Sequence, residues 1–225
     1  METLQKSRQK SSVTGVENNL SLGKLQSFFD YLKESLSNRL NIDFKLDDDN
    51  ISVIKALCLY HNNNEYFESL YPNMSLKKGI LLFGPVGTGK TTIMHLFHDT
   101  PQCYTTVVNC RKISDDYALE GLSAITKYNS MRKLALGISA FNHYGSSFCF
   151  DDLGAESPTK HFSETRNVMA DIIQNRYDNR LRFNNTHITT NLSSAQIEEL
   201  YGLRVLDRMK EMFNLLTLTG KSRRS

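Results

Sequence analysis

The sequence predicts an α/β fold, a parallel β-sheet covered by helices on both faces and preceded by a small helical region. From Gly79 onward short apolar or β-branched runs alternate with helical stretches, the pattern of a buried parallel sheet. Before Gly79 the apolar residues recur at helical spacing instead. No run of eighteen apolar residues occurs, so no membrane span is expected.

The elements follow in order. Residues 1–18 are polar, rich in Ser, Asn, Lys and Gln, and are expected to be a disordered tail. Residues 19–74 are expected to form the helical amino-terminal region. In LGKLQSFFDYLKESLSNRL, Leu25, Phe28, Phe29, Leu32, Leu36 and Leu40 mark one face of an amphipathic helix. DDDN, Asp47 to Asn50, opens a second helix, ISVIKALCLYH, with Asp49 or Asn50 as cap. A third, EYFESLY, stops before Pro72. These apolar faces read as core or as a docking surface. The expected strands are GILLF, TTVVNC, SSFCFDD, THITTN and LLTLTG. Between them the clearest helix is SETRNVMADIIQNRYDNRL, and the crossovers are expected to be right-handed. This second region runs over 75–221, and 222–225 form a basic tail.

At 225 residues the chain is one domain with appendages or two small domains. Its 40% hydrophobic and 23% charged residues are ordinary for a globular protein, so composition selects no function class. The amino terminus METLQKSRQKSSVTG lacks an apolar segment; no secretory signal is expected, and the cytoplasm is the expected compartment. Cys58, Cys103, Cys110 and Cys149 form no CxxC pair, which argues against a zinc ribbon or a redox motif. His95 and His98 lie three apart with no third ligand in pattern. The net charge of +3 says little. Its distribution says more: from Tyr201 onward six Lys or Arg face two acids. Such a tail either touches nucleic-acid phosphates or is simply solvated.

One stretch carries specific chemistry. LLFGPVGTGKTT places Gly84, Gly89, Lys90 and Thr91 in the spacing GxxxxGK[ST], after a strand and before a helix. Glycines let successive N–H groups turn inward as an anion nest. The following helix adds its positive end. Lys90 can reach the outer phosphates of a nucleoside triphosphate, and the Thr91 hydroxyl can ligate Mg²⁺. The predicted nucleotide-binding residues are Gly84, Pro85, Val86, Gly87, Thr88, Gly89, Lys90, Thr91 and Thr92.

FCFDD then ends an apolar strand in two aspartates. Adjacent carboxylates repel unless a cation is near. Asp151 would join Thr91 at Mg²⁺, and Asp152 would orient or activate the attacking water. THITTN closes another strand with Thr190 and Asn191. Either can bond the γ-phosphate or the water, and either can equally serve the helix that follows as a cap.

YGLRVLDRMKEMFN sets Arg204 and Arg208 four apart on one helix face. Asp207 and Glu211 lie three residues after them, so surface pairing is one reading. A phosphate contact is the other.

Together GPVGTGKTT, FCFDDLGAE, THITTNL and YGLRVLDRMKEMFN resemble an AAA+ ATPase of the DnaC/DnaI helicase-loader and IstB transposition-helper group. The likeness spans roughly 75–221 and is only general before that. It implies a P-loop NTPase core with a five-stranded parallel sheet in the order 5-1-4-3-2 and no lid domain. It implies Asn191 as γ-phosphate sensor. It implies nucleotide-dependent homo-oligomers in which Arg208 reaches a neighbour's nucleotide, with Arg204 as support or alternative. The family pair is Asp-Glu; here it is Asp151-Asp152, one methylene shorter, so slow hydrolysis is expected. No NKxD-like segment is present, and ATP is the expected nucleotide. The implied activity is that of an ATP-hydrolysing DNA-replication factor that loads a replicative helicase on single-stranded DNA, with Lys112, Lys127, Arg132 and Lys133 as candidate DNA contacts. The alternatives are a helper that works with a transposase on duplex DNA, and a nucleotide-gated scaffold with little turnover.

Overall fold

A computed structural model describes residues 23–100, 103–129, 147–161, 164–178 and 183–224. The expected tail 1–18 and the candidate DNA contacts Arg132 and Lys133 lie outside them. The chain divides into two compact units, Met1–Lys45 and Leu46–Ser225.

In the first unit, helix α1 covers 23–40. Phe29, Leu32 and Leu36 form its buried stripe, at the helical spacing read from sequence. The ring of Phe44 meets Phe29 edge-on at 6.2 Å between centroids.

The second unit opens with a turn and two helices, α2 (Ile51–His61) and α3 (Tyr66–Leu70). Asn50 occupies the cap position of α2, one of the two residues expected there, but the turn's side-chain bonds centre on Asp47. Asp47 Oδ1 accepts from the amides of Asp49 and Asn50, while the Asn50 side chain turns back to accept from Asp47 N and gives α2 no cap bond.

The α/β part follows as β1 (Gly79–Phe83), α4 (Lys90–Leu96), β2 (Asp99–Thr100), β3 (Cys103–Asn109), α5 (Cys110–Glu120), α6 (Leu122–Asn129), β4 (Ser147–Leu153), β5 (Thr159–His161), β6 (Glu164–Arg166), α7 (Val168–Asp178), β7 (Thr186–Thr190), α8 (Ser194–Tyr201), α9 (Leu203–Met212) and β8 (Phe213–Thr217). The main sheet has the order β2-β3-β4-β7-β1-β8. It differs from the expected five strands by a sixth, β2, which pairs antiparallel with β3 at the edge. The other five are all parallel; numbered among themselves they run 5-1-4-3-2.

Several boundaries lie away from their expected places; Cys110, expected to close a strand, opens α5. ETR is not helical as expected: Glu164–Arg166 pairs antiparallel with Thr159–His161, and α7 begins at Val168. Gly202, at φ +87°, separates α8 from α9, so Tyr201 closes one helix instead of opening the next. The last strand starts at Phe213 because Phe213 and Asn214 pair with Gly79 and Ile80. The Asn214 amide also bonds both the N–H and the C=O of Ser75, which holds the strand start in place.

Alternation sorts the sheet's side chains to its two faces. Phe150, Leu153 and Ile188 face a core completed by Ile113, Tyr117, Met169, Ile173, Val205 and Met209 of α5, α7 and α9. His187 faces the other side, with its ring 6.1 Å from Tyr60 and 5.7 Å from His61 of α2. Buried in the first core, Arg176 donates to Thr186 Oγ1 at 2.7 Å, Tyr128 O at 2.6 Å and Asn185 O at 2.8 Å. Its guanidinium lies over the rings of Phe148 and Phe150. Burial lowers its pKa to about 10, leaving it charged at neutral pH. Cys58, Cys110 and Cys149 are free and buried. No helix among the described residues is long and apolar enough to cross a membrane.

Candidate functional site

The site lies where the carboxyl ends of β1, β4 and β7 meet, the usual place for a ligand in an open parallel sheet. β1 ends at Phe83, and the loop 84–89 leads into α4 at Lys90. Gly87 and Gly89 have φ of +82° and +97°, a region closed to most side chains. The Gly84 amide bonds Thr190 O at 3.2 Å, which ties the start of the loop to the end of β7. Thr88 is buried and donates to Pro85 O at 2.9 Å. Val86 is exposed. Lys90 is buried, with Nζ 2.9 Å from both Gly84 O and Pro85 O. Burial lowers its pKa, while the charges of Asp152 and Asp151 act to raise it.

The Thr91 hydroxyl stands 3.0 Å from each oxygen of Asp151. Thr189 Oγ1 donates to Asp151 Oδ1 at 2.7 Å and accepts from Asp152 N at 2.9 Å. Asp151 is buried. Burial raises its pKa, the adjacent Asp152 adds to the rise, and the hydrogen bonds of Thr189 and Thr91 oppose it.

A bulge separates the two acids. Phe150 pairs with Ile188 and Leu153 with Thr190, so β4 uses three residues where β7 uses two. Strict alternation would place Asp152 on the apolar face with Phe150 and turn Leu153 away from it. The extra residue returns Leu153 to the core, and Asp152, at φ +56°, leaves the apolar face half-buried.

Asn191 is exposed immediately after β7, which lies between β1 and β4. The Thr190 hydroxyl is occupied within the fold, donating to Leu153 O and accepting from Leu192 N. The structure therefore brings the 84–92 segment, Asp151, Asp152 and Asn191 to one end of the sheet. The N–H groups of the loop, Lys90 and the amino end of α4 suit an oxyanion. A hydroxyl beside a carboxylate suits a hard divalent cation; Thr91 and Asp151 would be its protein ligands, and among the described residues no group of three His, Cys, Asp or Glu could hold a metal.

The arginines of α9 part company. Arg208 is buried. It donates to Asp178 Oδ1 at 2.7 Å and Gln174 Oε1 at 3.2 Å. The acids expected to pair at the surface are engaged elsewhere: Glu211, three after Arg208, accepts from the Tyr177 hydroxyl, and Asp207, three after Arg204, pairs with Lys210. Arg204 is exposed.

Lys112 and Lys127 share one carboxylate, Asp116, at 2.8 and 3.1 Å. Both ammonium groups remain at the surface. His98 Nδ1 lies 2.5 Å from Thr105 O.

Three features were not read from sequence. Thr189 was legible in part, since alternation along THITT puts it on the face of Asp151. The Tyr201 hydroxyl donates to Glu156, and Glu156 also accepts from Gly154 N; burial and this carboxylate push the phenol pKa far up. Arg223 bonds Thr88 O and both oxygens of Asp47, a contact across 176 positions that no local pattern signals. No protein-family model and no curated protein matches the chain.

Proposed function

We propose that the protein binds Mg²⁺-ATP and hydrolyses it slowly, and that it acts as a DnaC-like loader of a replicative helicase on single-stranded DNA. The observation that carries the nucleotide reading is the Thr91–Asp151 contact beside the glycine turn and the buried Lys90. Residues sixty positions apart meet there as a hydroxyl–carboxylate pair next to the glycine turn. In this reading the amides of 84–92 and Lys90 bind the phosphates, and Thr91 and Asp151 hold Mg²⁺. The ion neutralises phosphate charge when bound. Asp152 and Asn191 orient the attacking water, and an arginine of α9 completes a neighbour's site in a nucleotide-dependent oligomer. ATP as the nucleotide and the helicase as partner rest on the motif resemblance.

The test is Mg²⁺-ATP binding and turnover by the full chain, with and without single-stranded DNA, beside a Lys90→Ala control. Binding lost in the control, with turnover changed by DNA, is the expected result. A wild-type protein that binds no Mg²⁺-ATP overturns the nucleotide reading. Binding without any DNA response overturns the loader. Preference for duplex DNA and co-purification with a transposase would favour the transposition helper.

The shorter carboxylate of Asp152, carried on a left-handed backbone, favours one second reading, a nucleotide-gated scaffold. Unchanged turnover in Asp152→Asn would support it.

A further inference from the structure

Residues 218–223, after β8, lie against the glycine loop. Leu218 N donates to Phe83 O at 2.7 Å, and Arg223 N to Gly87 O at 2.8 Å. Arg223 Nε donates to Thr88 O at 3.0 Å. The two remaining nitrogens of its guanidinium grip Asp47 at 2.5 and 2.9 Å, the fork-to-fork geometry that orients as well as attracts. Asp47 is fixed in turn by the amides of Asp49 and Asn50. The packing is close: a β-carbon at Gly87 would collide with Ser222 Oγ, and one at Gly220 with the Asp49 carboxylate.

The direction of these bonds matters. The described peptides are all trans. In a trans peptide the C=O and the next N–H point opposite ways. The carbonyls of Gly87 and Thr88 point at Arg223, so the amide hydrogens of Thr88 and Gly89 point away from it. At these two peptides the carbonyls face Arg223 and the donors face the other way.

We propose that Arg223, clasped by Asp47, is a positioning residue for the phosphate site: it sets the Thr88 and Gly89 amides facing the oxyanion before the ligand arrives. This rests on the nucleotide reading above. The advantage is preorganisation, because a glycine-rich loop otherwise loses conformational freedom on binding. Asp47 acts through Arg223, and the segment after β8 becomes part of the binding site.

The test compares full-length wild type, Arg223→Ala, Arg223→Lys, Asp47→Asn and the Arg223→Ala/Asp47→Asn double variant, with Lys90→Ala as the non-binding control. Two quantities are measured: amide hydrogen exchange over 84–90 without nucleotide, and affinity for a fluorescent ATP analogue with Mg²⁺. Arg223→Ala is expected to speed exchange in that segment while the strands keep their protection, and to weaken binding about tenfold. Arg223→Lys should fall between it and wild type. The double variant should bind no worse than Arg223→Ala alone, since residues in one network do not add. Wild-type binding with Arg223→Ala equal to it would overturn the positioning role and leave the nucleotide reading standing. Wild type that fails to bind overturns both.

Discussion

Arg208 of α9 donates to Asp178 of α7 at 2.7 Å, and its guanidinium lies 4.8 Å from the centre of the Tyr177 ring. The pair joins two helices packed on the same core. The arginine is therefore engaged within its own chain, whereas Arg204, one turn away, is exposed. The Asp178 side chain is 55% exposed, so water screens part of the attraction. Arg208→Ala is expected to lower the unfolding free energy by about 1–2 kcal/mol, mostly through the lost hydrogen bonds and ring contact. Arg204→Ala is expected to stay within about 0.5 kcal/mol of wild type and, on the proposed oligomeric ATPase reading, to abolish a rise of ATPase activity with protein concentration. Urea unfolding and a concentration series measure the two effects. An Arg204→Ala protein with full concentration dependence would return the intersubunit role to Arg208.

Thr91 and Asp151 predict a separation between stability and ligand binding. The folded protein raises the Asp151 pKa above its ordinary value, chiefly by burial. An acid raised on folding costs stability once it is ionised, at pH above its folded pKa. Asp151→Asn removes that cost and keeps an acceptor for Thr189. At pH 7 without Mg²⁺ it should be at least as stable as wild type. It should also lose the difference in ATP affinity between Mg²⁺ and EDTA. An Asp151→Asn protein that still responds to Mg²⁺ would remove this residue from the proposed Mg²⁺ site.

The buried pair His61 and His187 predicts acid sensitivity above the carboxylate range. His187 Nδ1 accepts the Ile80 amide at 3.2 Å, which requires that nitrogen to be unprotonated. Burial lowers the His187 pKa to about 3, with the Arg176 charge adding to it. Burial and the neighbouring His187 hold His61 well below its ordinary value as well. From the other elements around the pair, the charged group that bears on it is Arg176, which repels a second cation. A histidine depressed on folding binds its proton in the unfolded state first. Stability is therefore full above the unfolded pKa near 6.5 and falls as pH drops below it. His187 alone should cost roughly 2 kcal/mol between about pH 8 and pH 5. His187→Asn, whose amide oxygen can replace Nδ1, should flatten the slope by about one proton. Denaturant unfolding at a series of pH values across that range measures it, and an unchanged slope would contradict the assignment.

The sequence alone determined what is local or strictly periodic. The buried stripe of α1 followed from apolar residues three and four apart. The strands GILLF and THITT followed from short β-branched runs bounded by turn residues. The phosphate-loop reading followed from GPVGTGKTT, because its glycines, lysine and threonine have separate reasons to be there. Even Asp151 beside Thr91 was anticipated, since the sequence reading assigned both to one cation; their contact is 3.0 Å.

Tertiary structure alone decided the rest, because those features depend on which distant residues become neighbours. The bulge that takes Asp152 off the apolar face exists because Leu153 must return to a core built from three helices. Arg208 is buried by Gln174, Tyr177 and Asp178, thirty or more positions away, and the i,i+3 acids that invited a surface pairing were drawn to other partners. The grip of Arg223 on Asp47 joins residues 176 positions apart. No window of sequence carries such a contact: a hydrogen bond's geometry is set by the final fold, whereas periodicity only records which face of an element turns inward.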